Sequence, residues 1–236
     1  MNRLDKEITQ RGLVISRSQA ENYIKLGVVL VNGKTITKPG WLVGDNDNVV
    51  VEGEQYVSRA ALKLASVSHQ FGLEFKSKTV LDVGSSTGGF TDYALQHGAK
   101  RVIAVDVGTE QLHPSLRVNK KVELYEKTDI RDFKTKAKID YVVADVSFIS
   151  LTKILPSVLR ITNKSTQLII MCKPQFEAQK HQINKGIIKN SSMRRAILKD
   201  FEAWLVSNKF IIKDKADSQV AGTKGNVERF YKLITT

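Results

Sequence analysis

The chain has 236 residues, 42% of them hydrophobic, and its 37 Lys and Arg against 24 Asp and Glu give a formal net charge of +13. That length supports one large domain or two small ones, and that charge points to a polyanionic partner. No stretch approaches the roughly 20 apolar residues of a membrane span, the charged start MNRLDKEITQRG has no apolar signal core, and the single Cys172 excludes an intrachain disulfide and a cysteine-built zinc site. The expectation is a reduced, cytoplasmic protein without a metal, its oligomeric state open.

Residues 1–53 read as a separate module. LDKEITQRG forms a short helix closed by Gly12. Ser16 or Ser18 caps a second helix, SQAENYIKLG, closed by Gly27. VVLVNG, KTITKPGWLV and GDNDNVVVEG alternate apolar residues between Asn-Gly and Gly-Asp turns, the pattern of short strands in hairpins. The module is α+β and nearly neutral at +1, which leaves +12 on the rest of the chain. Residues 54–58 read as a linker and 59–236 as a second domain.

That second domain opens with an amphipathic helix, SRAALKLASVSHQFG. Ala61, Leu62, Ala65 and Val67 or Phe71 are expected to face inward, with Lys63 in its first half. VLDVGSSTGGFTDYAL then reads as a buried strand, a glycine turn and a helix from about Phe90; RVIAVDVG is the next strand, with Asp106 at its tip. TEQLHPSLRVNKKV is a polar connection, VELYEKTDIRDF a short strand ending near Asp129, and IDYVVADVSFIS a buried strand with Asp145 at its end. LTKILPSVLRIT is a helix interrupted or started around Pro156, and TQLIIMCKPQFE a strand ending at Lys173. SSMRRAILKDFEAWLVSNK is a long helix, and FIIKDKADSQ and VERFYKLIT a final antiparallel pair. Alternating strands and helices predict an α/β, Rossmann-like, doubly wound sheet.

Strand, glycine turn, helix and a carboxylate roughly 20 residues on form a unit that binds the adenosine of a cofactor beyond the strand ends. The turn Gly84, Ser85, Ser86, Thr87, Gly88, Gly89 with Phe90 lacks the GxGxxG spacing, and Asp82 lies inside its strand. A carboxylate there would repel a pyrophosphate but suits the cationic end of S-adenosylmethionine. Asp106 can accept from a ribose diol, and Asp129 and Asp145 complete the expected cofactor set. Lys63, Asp145, Lys173 and Glu228 gather where such sheets do chemistry, at or near element ends.

The run R-L-D, G-L-V, S-R-S-Q-A, I-K-L-G-V-V-L-V-N-G and K-P-G resembles the S4-like RNA-binding domain. With it, YVSRAALKL, DVGSSTGGFTD, AVDVGTEQL, DVSFISL, KPQFEA and GNVERF resemble the TlyA family, often labelled haemolysins, over almost the whole chain. The resemblance implies an FtsJ-like methyltransferase domain acting on ribosomal RNA or a ribosomal subunit at a ribose 2′-hydroxyl, that of a cytidine by the family's pattern. It implies a Lys63–Asp145–Lys173–Glu228 tetrad. Lys173 deprotonates the hydroxyl or stabilises its alkoxide, Asp145 and Glu228 hold the lysines, and Lys63 orients the hydroxyl. Arg3, Arg17, Lys25 and Lys34 are the implied phosphate contacts. The chain departs from the family in having Ala60 and Ala61 where Gly-Gly is usual, and in a more polar first helix. The basic run HQINKGIIKNSSMRR adds Lys189, Arg194 and Arg195 as RNA-facing residues.

Three other readings stay open at this stage. An RNA cytosine C5-methyltransferase would use Cys172, beside Lys173, as nucleophile. A haemolysin-type membrane-active protein follows from the family's label. A non-catalytic RNA-binding scaffold would keep the fold alone.

Overall fold

The structure, a computed structural model, describes residues 1–14, 16–25, 27–52, 56–184, 186–188, 190–220 and 225–235. The chain divides into two compact units, Met1–Arg59 and Ala60–Thr236.

The first unit holds β1 (Asn2–Arg3), α1 (Leu4–Gln10), α2 (Arg17–Lys25), β2 (Val29–Val31), β3 (Lys34–Thr35), β4 (Leu42–Val43) and β5 (Val49–Val51). Strands β3, β2 and β5 form an antiparallel sheet, and β1 pairs with β4. The cap of α2 is Ser16, whose Oγ accepts from the Gln19 amide at 3.2 Å. Gly12 and Gly27 close the two helices at positive φ, +69° and +75°. The polarity of α1 has a physical account. Asp5 and Glu7 are buried, and arginines pair with both. Arg3 grips Asp5 through Nε and Nη2 at 3.0 and 3.1 Å, Arg17 adds a bond at 2.8 Å, and Arg11 holds Glu7 at 2.8 Å. Burial alone would raise the Asp5 carboxyl; the two guanidiniums outweigh it and hold it at about 2.

The second unit comprises α3 (Ala60–Phe71), β6 (Thr79–Val83), α4 (Gly89–Gln96), β7 (Arg101–Val105), α5 (Pro114–Arg117), β8 (Val122–Tyr125), β9 (Tyr141–Ala144), α6 (Leu151–Arg160), β10 (Gln167–Cys172), α7 (Pro174–Glu177), β11 (Ile183–Asn184), β12 (Ile187–Ile188), α8 (Ser191–Ser207), β13 (Phe210–Asp217) and β14 (Arg229–Thr235). The seven-stranded sheet runs β13-β14-β10-β9-β6-β7-β8. The five strands from β10 to β8 are parallel, and β14 runs antiparallel to both of its neighbours, β10 and β13. The chain goes outward from β6 through β7 to β8, then restarts at β9 on the other side of β6. The switch point of this doubly wound α/β sheet therefore lies between β6 and β9, where open sheets bind ligands. Leu81, Ile103, Val142, Leu168 and Ile170 belong to one buried cluster with Leu155 of α6 and Phe201 of α8.

Four details differ from the sequence reading. The buried face of α3 is Ala61, Lys63, Leu64, Val67 and Phe71, so it carries Lys63 and Leu64 in place of Leu62 and Ala65. Helix α6 runs unbroken through Pro156, with Ser150 as its cap. Strand β8 stops at Tyr125, and Asp129 sits in the turn beyond it. The connection around Pro114 contains a short helix, α5, whose first residue is that proline.

Candidate active site

Register brings the charged residues together. Cys172 pairs with Arg229 across β10 and β14, so the residues just beyond the pair, Lys173 and Glu228, stand side by side at the ends of adjacent strands. Ala144 pairs with Ile170 on one side and Val83 on the other, which places Asp145 at the same edge, beside Gly84. Lys63 reaches Glu228 from α3.

The tetrad forms two ion pairs. Lys63 Nζ lies 2.8 Å from both carboxylate oxygens of Glu228, with the side chains only 7% and 3% exposed. A buried lysine on an otherwise apolar helix face is tolerable only with such a partner. Lys173 Nζ stands 2.5 Å from Asp145 Oδ1, in a geometry too oblique for a hydrogen bond, and donates to Ser147 Oγ at 2.7 Å. The Glu228 segment is itself held: Ser218 N donates to the Glu228 carbonyl at 2.9 Å, and Arg194 Nε to the Val227 carbonyl at 3.1 Å.

Beside Asp145 is a cavity of about 340 Å³ at the switch point. Gly84, Ser86, Asp106, Asp129 and Asp145 line it, together with Val107, Gln111, Ile130, Ser147 and Phe148. Gly84 has φ +80°, and a Cβ there would stand 2.8 Å from the Asp145 carbonyl oxygen, so this approach of β6 to β9 requires glycine. Asp106 accepts backbone bonds from Ser86 and Gly108, each at 2.7 Å, one on each oxygen. Each oxygen keeps further acceptor capacity. Asp129 is bonded by the Arg131 guanidinium and amide.

Asp82 is sealed behind the turn. Thr91 Oγ1 donates to its Oδ2 at 2.7 Å, and its Oδ1 is buried with no hydrogen-bond donor among the described residues. Burial pushes the carboxyl up to about 7 against the Thr91 bond, and the neighbouring carboxylates of Asp145 and Asp106 add to the rise. An unsatisfied buried carboxylate, a glycine cradle and a ribose-sized acceptor on the next strand fit an adenosine-bearing cationic cofactor.

The remaining expected cofactor residues do not line the cavity. Ser85 is buried, Thr87 gives its carbonyl to His113 N, and Gly88 at φ +96° packs against Leu112 and Leu116. Gly89 begins α4, and Phe90 is core, facing Phe230 at 6.0 Å.

Among the expected RNA contacts, Lys25, Lys34 and Arg195 are exposed. Arg3 and Arg17 are half-exposed but committed to Asp5. Arg194 bonds Asp217 at 2.7 Å as well as the Val227 carbonyl, so it braces the Glu228 segment instead of standing free. Lys189 lies outside the described residues. Trp41 is 47% exposed, whereas Trp204 stacks on Phe201.

Two functional features escaped the sequence reading. Phe148 is 91% exposed, holds φ +64° and faces Phe176 at 5.3 Å, an aromatic presented at the cavity rim beside Asp145. A bulky residue in the left-handed region is unusual and marks a constrained site. Glu177 reaches back from KPQFE to accept from Leu151 N at 2.8 Å and from Ser150 Oγ. It thereby ties the end of the DVSFIS loop to the segment carrying Lys173. Burial raises the Glu177 carboxyl against both bonds.

The cytosine C5 reading meets an obstacle here. Cys172 is fully buried, and burial pushes its thiol well above the usual range, the wrong direction for a nucleophile. Among the described residues no helix is long and apolar enough to cross a membrane, and no group of three His, Cys, Asp or Glu gathers to hold a metal ion.

Comparison with known proteins gives a consistent family. The FtsJ-like methyltransferase family model matches residues 56–233, and the S4 domain model residues 2–49. The 23S rRNA (cytidine-2′-O)-methyltransferase TlyA of Campylobacter jejuni is 38% identical, over 98% of this chain and 99% of its own. The 16S/23S rRNA (cytidine-2′-O)-methyltransferase TlyA of Mycobacterium tuberculosis is 37% identical, over 99% of this chain and 90% of its own. A solved structure described as a hemolysin, from Streptococcus thermophilus, is 38% identical with a TM-score of 0.75, covering 99% of this chain and 88% of that one.

Proposed function

The chain belongs to the FtsJ-like methyltransferase family, among the TlyA proteins that join it to an S4 domain, and from that premise we propose that it methylates a cytidine ribose 2′-hydroxyl of ribosomal RNA, using S-adenosylmethionine. Its relatives carry that activity in their names. The observation in this chain that supports it most is the Lys173–Asp145 pair at the rim of the switch-point cavity, with Lys63–Glu228 on the neighbouring strand end.

S-adenosylmethionine, when bound, supplies an electrophilic sulfonium methyl. Gly84, Ser86, Asp106 and Asp129 are the residues to hold its adenosyl part, and the carboxylates of Asp82 and Asp145 favour its cationic end. Lys173 meets the ribose hydroxyl. Ser147 and Asp145 fix its Nζ, so the ammonium faces the oxygen on which negative charge builds, and the departing proton goes to the Asp145 carboxylate, the basic member of the pair. Lys63 and Glu228 set the charge balance and orientation beside it. Positioning and electrostatics carry the acceleration. Phe148 offers a ring face on which the target base can stack, an interaction worth roughly 1–3 kcal/mol per base. The S4 unit recognises RNA through the exposed Lys25 and Lys34, with Arg3 and Arg17 held on Asp5; its near-neutral charge suits shape recognition over bulk attraction. We assign residues 1–53 to that RNA-binding domain, 54–58 to a linker and 59–236 to the methyltransferase domain. A protein working on ribosomal RNA acts in the cytoplasm.

The test is methyl transfer from labelled S-adenosylmethionine to purified ribosomal subunits. Lys173→Ala is expected to lose roughly 10²–10⁴-fold in rate while binding the cofactor as wild type does. Full activity in that variant would refute the assignment.

A further inference from the structure

The +12 of the larger part of the chain is not gathered at the catalytic edge. Each of the five parallel strands is preceded by a lysine at its foot. In sheet order these are Lys164 before β10, Lys138 before β9, Lys78 before β6, Lys100 before β7 and Lys121 before β8. The backbone ladder at that edge lines up three of them, since Lys100 N donates to Lys78 O at 2.8 Å and Val102 N to Lys121 O at 2.8 Å; Gln167 N donates to Asp140 O at 3.0 Å and joins the feet of the two strands that Lys138 and Lys164 precede. Four of the five side chains are exposed and Lys78 is half-buried. None of the five forms an ion pair among the described residues, whereas Lys63 and Lys173 at the other edge are both paired. Three acids lie nearby: Asp140 accepts from Thr79 N at 2.8 Å, Glu123 pairs with Arg101, and Glu74 sits beside the Tyr141 hydroxyl, so five lysines outnumber them.

Five strands at about 4.8 Å spacing make a row roughly 19 Å wide, and five residues of β6 separate it from the catalytic edge by about 16 Å. An RNA segment lying on the tetrad cannot also lie on this row. We infer that the foot of the sheet is a second RNA-contacting face, which grips the phosphate backbone of a segment other than the one being methylated. This rests on the reading of ribosomal RNA as substrate. The neighbours of the lysines, Ser77, Thr79, Asn119, Asn163 and Ser165, are hydrogen-bonding groups, suited to phosphate and ribose. A membrane-binding face would pair its lysines with exposed aromatic and leucine anchors. Backbone contacts of this kind add affinity and orientation without sequence choice.

The test compares two doubles of equal charge loss, Lys78→Gln with Lys100→Gln, and Lys199→Gln with Lys215→Gln on α8 and β13. Binding to purified ribosomal subunits is followed as salt is raised, alongside steady-state methyl transfer. The first double is expected to lower the slope of log affinity against log salt by about 2 and to raise KM about tenfold with kcat unchanged. The second is expected to match wild type. Equal behaviour of the two doubles, or an unchanged slope in the first, overturns the proposal. So does a first double that loses binding to phosphatidylserine vesicles but not to subunits. Wild-type protein that transfers no methyl to subunits would sink the RNA reading itself, a result distinguishable from failure of the face alone.

Discussion

Replacing Lys63 by methionine separates what the buried pair does for stability from what it does for chemistry. Both partners are almost wholly buried, and Nζ sits 2.8 Å from each carboxylate oxygen. Methionine keeps most of the volume but leaves Glu228 charged, buried and unpartnered. Breaking a buried pair from one side costs roughly 3–5 kcal/mol. In a unit of this size each kcal/mol shifts the midpoint by about 2–4 °C, so a fall of about 10 °C in the thermal midpoint is expected. The double Lys63→Met, Glu228→Leu removes both charges and is expected to recover to within about 2 kcal/mol of wild type, because apolar replacement of a whole buried pair is close to neutral. Neither variant should transfer methyl. Calorimetric or fluorescence melts beside the methyl-transfer assay read both quantities. A single variant as stable as wild type would refute the buried pair, and a stable double that retains wild-type kcat would refute its part in catalysis.

Asp82→Asn is expected to stabilise the cofactor-free protein near pH 7.5 while weakening S-adenosylmethionine binding. With the folded carboxyl raised to about 7 from an ordinary value near 3.8, the charged form disfavours folding. Stability is full below about pH 4 and is lost as pH rises toward 7, by at most about 4 kcal/mol. The gain from asparagine should therefore grow over that window in melts taken at pH 4, 5.5 and 7.5, and a pH-independent change would contradict it. Glu177→Ala should lower kcat about tenfold or more by releasing the loop that carries Asp145, Ser147 and Phe148. Glu177→Gln keeps an acceptor for Leu151 N and should retain most of the rate; equal losses in both would count against the tie. Cys172→Ser should keep its methyl-transfer activity, and a dead but folded variant would revive the cytosine C5 reading.

The fold was readable wherever the signal is local. Glycine turns, buried apolar runs and alternating elements located β6, β7, β9, β10 and the final antiparallel pair, and a lysine straight after LIIMC stood out as a strand-end charge. Long-range pairing was not readable. Nothing local says that Arg3 and Arg17 converge on Asp5, or that Arg194 spends itself on Asp217 and the Val227 carbonyl. The buried stripe of α3 was misjudged because its pattern treats Lys63 as polar, and only Glu228, far along the chain, makes its burial tolerable. Phe148 carries no pattern that announces a left-handed backbone. The lysines at the strand feet look scattered until the strand order lines them up.

The most direct test of the central claim is alkaline hydrolysis of ribosomal RNA after methyl transfer by the wild-type protein, read nucleotide by nucleotide. A methyl on the 2′-oxygen removes the group that attacks the adjacent phosphate, so the account predicts one or more cytidines that become alkali-resistant and carry the label, and none with Lys173→Ala. Label in RNA that alkali still cleaves at every position would contradict ribose methylation and place the methyl on a base.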